Sequence, residues 1–219
     1  MDLVGKSIKN AEFRSGLIDA VPVSLGYFVV AVSFGILAKT INIGLIPAVL
    51  MSVCVFAGAS QFIAINLIAT GAQAGEIILT TFFVNLRHLL MSASLAPRIM
   101  RNGLPSQVLA FGITDETFSV ASAKEGKIHS DYIIVLEAVS YSGWVLGTFA
   151  GYKLGHFLPD ILQEIFGVIL YSLFIALLVP HLRKGIRYAV PPAIAAGLNT
   201  LLRTQTNLAP GWCIIFAIL

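Results

Sequence analysis

Apolar runs of roughly 17 to 25 residues recur along almost the whole chain, each long enough to carry a helix across about 30 Å of hydrocarbon at 1.5 Å per residue. Between them lie short connections in which basic residues stand singly or in twos and threes. Of the 219 residues, 57% are hydrophobic and 11% charged, against about 25% charged in an ordinary soluble domain. Too little polar surface remains to coat a water-soluble globule, and the mean hydropathy of +0.88 agrees. A spanning segment must satisfy its own backbone hydrogen bonds in lipid. The chain is therefore expected to be a single integral membrane domain over residues 1–219, all-α and polytopic, with about six to eight membrane segments.

The runs place helices over Leu17 to Ala38, with a kink expected at Pro22, then Ile77 to Ala96, Tyr132 to Tyr152, Ile161 to Val179, and Ile186 to Leu202. Lys6, Lys9 and Arg14 precede the first, but no small-residue cleavage site follows a short apolar core, so the first helix is expected to be retained. Two further segments, Leu45 to Thr70 and Leu104 to Ser122, are interrupted at Ala57-Gly58-Ala59-Ser60-Gln61 and at Gly112 with Thr114-Asp115-Glu116. Such breaks are tolerated at membrane depth only where they face protein or a cavity. The stretch Gly211 to Leu219 is about half a membrane thickness long.

Orientation depends on those two broken segments. If both cross fully, Arg98 and Arg101 fall outside, against the positive-inside tendency. If both are re-entrant, these arginines join Arg14, Lys124, Lys127 and Arg183 on the cytoplasmic side with the N-terminus, leaving Lys39, Lys153 and Arg203 outside. The re-entrant scheme is the better fit. The same scattering of basic residues, at a net charge of +3, excludes a nucleic-acid surface. Cys54 and Cys213 lie inside apolar runs and supply neither a disulfide framework nor a metal set.

Polar groups embedded in apolar helices are the candidates for function. Asn85, Arg87 and His88 sit in the middle of one run. Thr81, Asn85, His88 and Ser92 recur at helical spacing and form one stripe, with Arg87 about 100° from His88. A cation at that depth costs about 2.5 to 3.5 kcal/mol on insertion scales and needs a partner. Asp115 and Glu116 are the natural ones. Adjacent carboxylates in low dielectric cannot both stay ionised cheaply, so one is expected to hold a proton or pair with a base, unless both serve to cap a half-helix. The break near Ser60 and Gln61 would turn a helix N-terminus toward a substrate carboxylate. On this reading Ser60, Gln61, Asn85, Arg87 and Asp115 bind substrate, while Asp115, Glu116 and His88 exchange protons. Phe56, Phe62, Phe82 and Phe118 are expected to supply an apolar pocket. Gly143, Gly147, Gly151 and Gly155, each four apart, mark a helix-packing ridge. Glu137 on the same helix is expected to snorkel to the interface.

Several of these strings in order, namely Gly16 to Gly35 with Pro22 and Gly26, Phe56 to Phe62, Asn85-Leu86-Arg87-His88, Thr114-Asp115-Glu116 and the glycine helix with Trp144, resemble the AzlC family, the large subunit of bacterial branched-chain amino acid exporters. The resemblance implies secondary export of neutral amino acids across the inner membrane, driven by proton exchange and carried out with a small hydrophobic subunit of the AzlD type. It implies no cofactor and no metal. Two other functions compete. A non-transporting membrane scaffold would tolerate neutral replacement of Arg87, Asp115 and Glu116, and an intramembrane hydrolase would need Ser60 and His88 in mutual reach.

Overall fold

The computed structural model describes residues 2–100, 105–157 and 185–218 with isolated positions at 172, 175, 178, 179, 182 and 183, and side chains from residue 10 onward. The described part is helical: α1 (Asp2–Thr40), α2 (Leu45–Val55), α3 (Gly58–Ala69), α4 (Ala74–Leu95), α5 (Ser106–Phe111), α6 (Asp115–Ala123), α7 (Ser130–Leu154), α8 (Val190–Gln205) and α9 (Pro210–Ile218). Among the described residues, three helices are long and apolar enough to cross a membrane, and they are α1, α4 and α7. The helix expected over 161–179 lies, isolated positions apart, outside the described residues.

The frame is α1 packed along α7. Gly143, Gly147 and Gly151 of α7 face Ser24, Phe28 and Val32 of α1, and a Cβ on any of these glycines would fall closer than 3.0 Å to an α1 carbonyl oxygen. Gly155, just past α7, meets Ile36. Both sets advance by four residues in the same sense, so the two helices run parallel, with backbones brought together by the missing side chains. The assigned α1 runs unbroken through Pro22.

Two helical hairpins fill the space beside this frame, and each turns back toward the end from which it starts. In the first, α2 descends from the C-terminal end of α1. Ser52 meets Thr148, and Phe56 reaches the level of Tyr27, Tyr141 and Trp144. Then α3 climbs back, with Gly58 against Trp144 and Phe62 against Phe34. In the second, α5 rises from the opposite end until Phe111 meets Tyr141, and α6 returns to bring Lys124 within 2.8 Å of Ser15. Between the hairpins, α4 runs the length of the frame in the opposite sense to α1, ending with Leu95 in a core cluster that also holds Ala20 and Tyr132. The interruptions read in the sequence are thus the tips of two hairpins.

Details differ from expectation. The first turn-back occurs at Phe56-Ala57, at the leading edge of the expected Ala57-Gly58-Ala59-Ser60-Gln61 interruption, and α3 already begins at Gly58. Phe56 has φ 41°, a left-handed conformation that costs an ordinary side chain roughly 1–2 kcal/mol, and its 2% exposure among aromatic rings holds it there. A residue pair at the end of α4 (β1, Ile99–Met100) pairs in parallel with one before α7 (β2, Ile128–His129). Beside it, Arg98 donates to the carbonyl oxygens of Ser122, Lys124 and Gly126. The seventh expected helix begins at Val190, with its prolines in the first turn, where their missing N–H groups do no harm. Ile186–Tyr188 forms a 3-10 turn before it. At the far end, α9 docks on α4, the Gly211 N–H donating to Glu76 Oε1 at 2.6 Å.

Candidate functional site

The two tips meet beside the middle of α4, and a small cavity lies between them. Gly58 and Ala59 of the first tip, Arg87 and His88 of α4, Thr114, Asp115 and Glu116 of the second tip, and Tyr27, Phe56 and Trp144 line it. As it stands the space is about 20 Å³, room for about one water.

Its electrostatics begin with an ion pair, Arg87 Nη1 to Asp115 Oδ2 at 2.9 Å, with both side chains about a quarter to a third exposed. This is the compensation that a mid-helix guanidinium demands. Asp115 can reach it because α6 starts there. Thr114 is the N-cap, its hydroxyl accepting from the Thr117 N–H, while the Thr114 N–H donates to Thr117 Oγ1 at 2.8 Å. Thr117 is anchored in turn by donating to the Gly112 carbonyl at 2.8 Å. The reciprocal cap leaves Asp115 and Glu116 in the first turn, where the helix dipole favours negative charge. Tyr27 reaches across from α1: its hydroxyl donates to Glu116 Oε2 and lies 2.5 Å from Thr114 Oγ1.

The opposite wall is neutral and differently built. No side chain caps α3 at Ala57, so its first backbone N–H groups carry their partial positive charge without a local acceptor. Above it, Trp144 Nε1 donates to Gln61 Oε1 at 2.9 Å, and Gln61 Nε2 donates to Ser52 Oγ at 3.0 Å. Ser52 Oγ is 2.7 Å from Thr148 Oγ1, which donates back to the Trp144 carbonyl. This closed ring fixes the indole against Gly58, where a Cβ would lie 2.7 Å from the indole carbon.

The residues expected to bind substrate or protons separate on this geometry. Arg87, His88, Asp115 and Glu116 line the cavity. Ser60 donates to the Ala57 carbonyl at 2.9 Å and Gln61 holds Trp144, so both stand behind the wall. Asn85 lies a half-turn from Arg87 with a buried Oδ1 that no donor meets, and it does not line the cavity. Ser92 lines a separate apolar cavity near Leu95 and Ile99, so the expected stripe divides between two spaces. Of the four phenylalanines only Phe56 lines the site. Phe62 packs on Phe34, Phe118 joins the lower core, and Phe82 is 59% exposed. Tyr27 and Trp144 are the functional candidates that sequence reasoning missed. Their one legible signal is a polar atom on an aromatic body within an apolar run, which needs a partner when buried. Ser60 does not share the cavity with His88. Among the described residues, no group of three or more His, Cys, Asp or Glu side chains is placed to hold a metal.

Residues 22–158, which contain the frame and both tips, match the family model described as AzlC protein. The chain belongs to the AzlC family. Among its relatives is a membrane protein of Archaeoglobus fulgidus, 36% identical over 91% of this chain and 90% of its own. The inner membrane protein YgaZ of Escherichia coli is 30% identical over 86% of this chain and 81% of its own. The branched-chain amino acid transport protein AzlC of Bacillus subtilis is 24% identical over 80% and 69% respectively. No solved structure matches. The family and these relatives mark the chain, predominantly helical in its described residues, as a membrane protein with a role in transport.

Proposed function

We propose that this AzlC-family chain is a subunit of a secondary transporter that exports branched-chain or similar neutral amino acids, with protons exchanged at the same site. The observation that carries the reading is the cavity itself. The α3 N-terminus on one wall and the Arg87 guanidinium on the other can meet a carboxylate, Asp115 and Glu116 can meet an ammonium, and Tyr27, Phe56 and Trp144 offer an apolar face. A zwitterion with an apolar side chain needs all three. Discontinuous helices meeting between spanning ones, with half-helix N-termini at the site, are a recurring transporter device.

A space of about 20 Å³ cannot hold valine, so substrate enters only when the tips part. The lower exit is sealed by the core around Leu95, Ile113 and Tyr132. A polar latch sits below it, in which Tyr132 donates to Asp19 at 2.8 Å and Lys124 lies 3.5 Å from the same carboxylate. Parting either hairpin from α7 would open one face at a time, with Arg87 turning to the substrate carboxylate and Asp115 and Glu116 exchanging the substrate's ammonium for protons. Arg14, Arg98, Lys124 and Lys127 gather around the level of Ser15 in α1, and Lys39 and Lys153 lie toward its C-terminal end. By the positive-inside tendency the N-terminus belongs on the cytoplasmic side, and the Escherichia coli relative, an inner membrane protein, supports an inner-membrane location. The span of α4 is only 6% buried, which leaves room for a small AzlD-type subunit beside it.

Counterflow of radiolabelled valine into proteoliposomes, with and without that subunit, tests the function. Uptake that depends on Arg87 supports it. No uptake by this chain alone, with uptake by the complex undiminished in Arg87→Gln and Asp115→Asn variants, would favour the scaffold reading.

A further inference from the structure

Glu137 belongs to neither the ion pair nor the ring around Trp144. It is 6% exposed on α7, and its Oε1 is buried with no hydrogen-bond donor. Its side chain lies directly on Gly112, at the tip of the second hairpin, where a Cβ would collide with Glu137 Cβ, Cγ and Cδ. Together with Gly112 it lines the second cavity at this tip, an open space of about 300 Å³ with Phe56, Phe111, Ile134 and Tyr141 among its walls. Phe56 therefore separates this cavity from the first.

We propose that Glu137 is a proton-binding site whose charge state decides whether the second hairpin can close on α7. A carboxylate with no donor, buried at membrane depth, is costly enough that the closed arrangement requires the neutral acid. Loss of the proton obliges the group to find water. The cavity beside it is the nearest space for water, and the absence of a side chain at Gly112 is what allows the tip to settle on Glu137 at all. Among the described residues, the surroundings supply no substitute charge. No charged side chain of α2, α5 or α6 lines the second cavity, and Tyr141, the other titratable residue there, donates its hydroxyl to the Val53 carbonyl at 2.9 Å. Asp115 and Glu116 face the first cavity, across the tip. Asp19 and Lys124 gather at Tyr132, five residues earlier and so about 7.5 Å along α7 at 1.5 Å per residue. A proton on Glu137 thus acts on the back of the same tip whose front holds Arg87 and substrate. The inference rests on the transport reading only for its consequence, since the motion itself can be measured without substrate.

The test uses the full chain in proteoliposomes, with Cys54→Ser and Cys213→Ser removing the native thiols and Ile134→Cys reporting on the second cavity. Reaction with a membrane-impermeant thiol reagent, taken relative to the same thiol in denatured protein at each pH so that the ordinary growth of the thiolate cancels, is expected to rise as pH is raised, and that ratio to stay at its low-pH level at every pH when Glu137→Gln is added. Infrared difference spectra should show a protonated carboxylic acid carbonyl band at neutral pH that Glu137→Gln removes. An unchanged pH profile with Glu137→Gln, or no acid band lost, overturns the proposal. If both signals behave as expected while valine counterflow is absent, the transport reading fails and the proton site stands. If valine is carried but neither signal moves, the reverse holds.

Discussion

The two hairpin tips have the same outline and opposite chemistry. Each turns back in the middle of the molecule, and each lays a glycine against a large side chain of α7, Gly58 on Trp144 and Gly112 on Glu137. These α7 positions are seven residues apart, so one face of one helix meets both tips. At the first tip every polar side-chain atom of the Trp144, Gln61, Ser52 and Thr148 ring finds a neutral partner. At the second, the partners carry charge or titrate, through Arg87, Asp115, Glu116 and Tyr27, and Glu137 Oε1 has no donor. A fully satisfied neutral network rigidifies, whereas ionisable groups in low dielectric change their partners when a proton or a ligand arrives. The first tip is built to hold its shape as it moves, and the second to rearrange within itself when a proton or a ligand arrives.

The largest effect expected on that contrast comes from the charged side. Arg87→Gln removes a charge-assisted contact worth about 1.5–3 kcal/mol, so the concentration of valine giving half-maximal counterflow should rise roughly 10- to 100-fold. Thermal stability in detergent should change less than it does for changes at the first tip. Next in size, Trp144→Phe leaves Gln61 Oε1 buried without a donor, which is expected to destabilise the fold by about 1–3 kcal/mol, read as a lower unfolding midpoint. Gln61→Leu in the same background should recover part of that loss, because the orphaned acceptor is gone. Equal, additive losses would mean that the ring is not a unit. Tyr27→Phe should reshape the pH profile of transport while lowering stability by no more than about 1.5 kcal/mol. A stability loss with an unaltered profile would make Tyr27 a packing residue. The smallest effect is that of Thr114→Ala, about 1 kcal/mol for a lost N-cap, visible in hydrogen exchange of α6 before it is visible in transport.

How much of this could be read without coordinates varies with the physical signal. The runs that became α1, α4 and α7 were plain, because crossing a bilayer sets a length that composition cannot disguise. The two interruptions were legible as well, since polar and glycine clusters in apolar runs have few other uses. The pairing of Arg87 with Asp115 follows from the same logic of buried charge. What was not legible depends on which side chains face one another across helices. Gln61 stands in the interrupted string with the look of a ligand, yet its amide is consumed by Trp144, eighty-three residues away. Glu137 was expected at the interface because it lies only two turns from the start of α7. The approach of Gly112 buries it instead, and no local pattern announces that contact. The tip residue Phe56 was hidden for a related reason: a left-handed phenylalanine is chosen by its aromatic neighbours rather than by propensity.

Transport by this geometry requires an amino acid to occupy the space between the tips. Ala59, at the start of α3, lines that space, so the most direct measurement is thiol labelling of Ala59→Cys, free of the native cysteines, in proteoliposomes active for valine counterflow. Saturating L-valine should protect the thiol, and lysine at the same concentration should not. Labelling at the same rate with and without valine, while counterflow continues, would contradict the site.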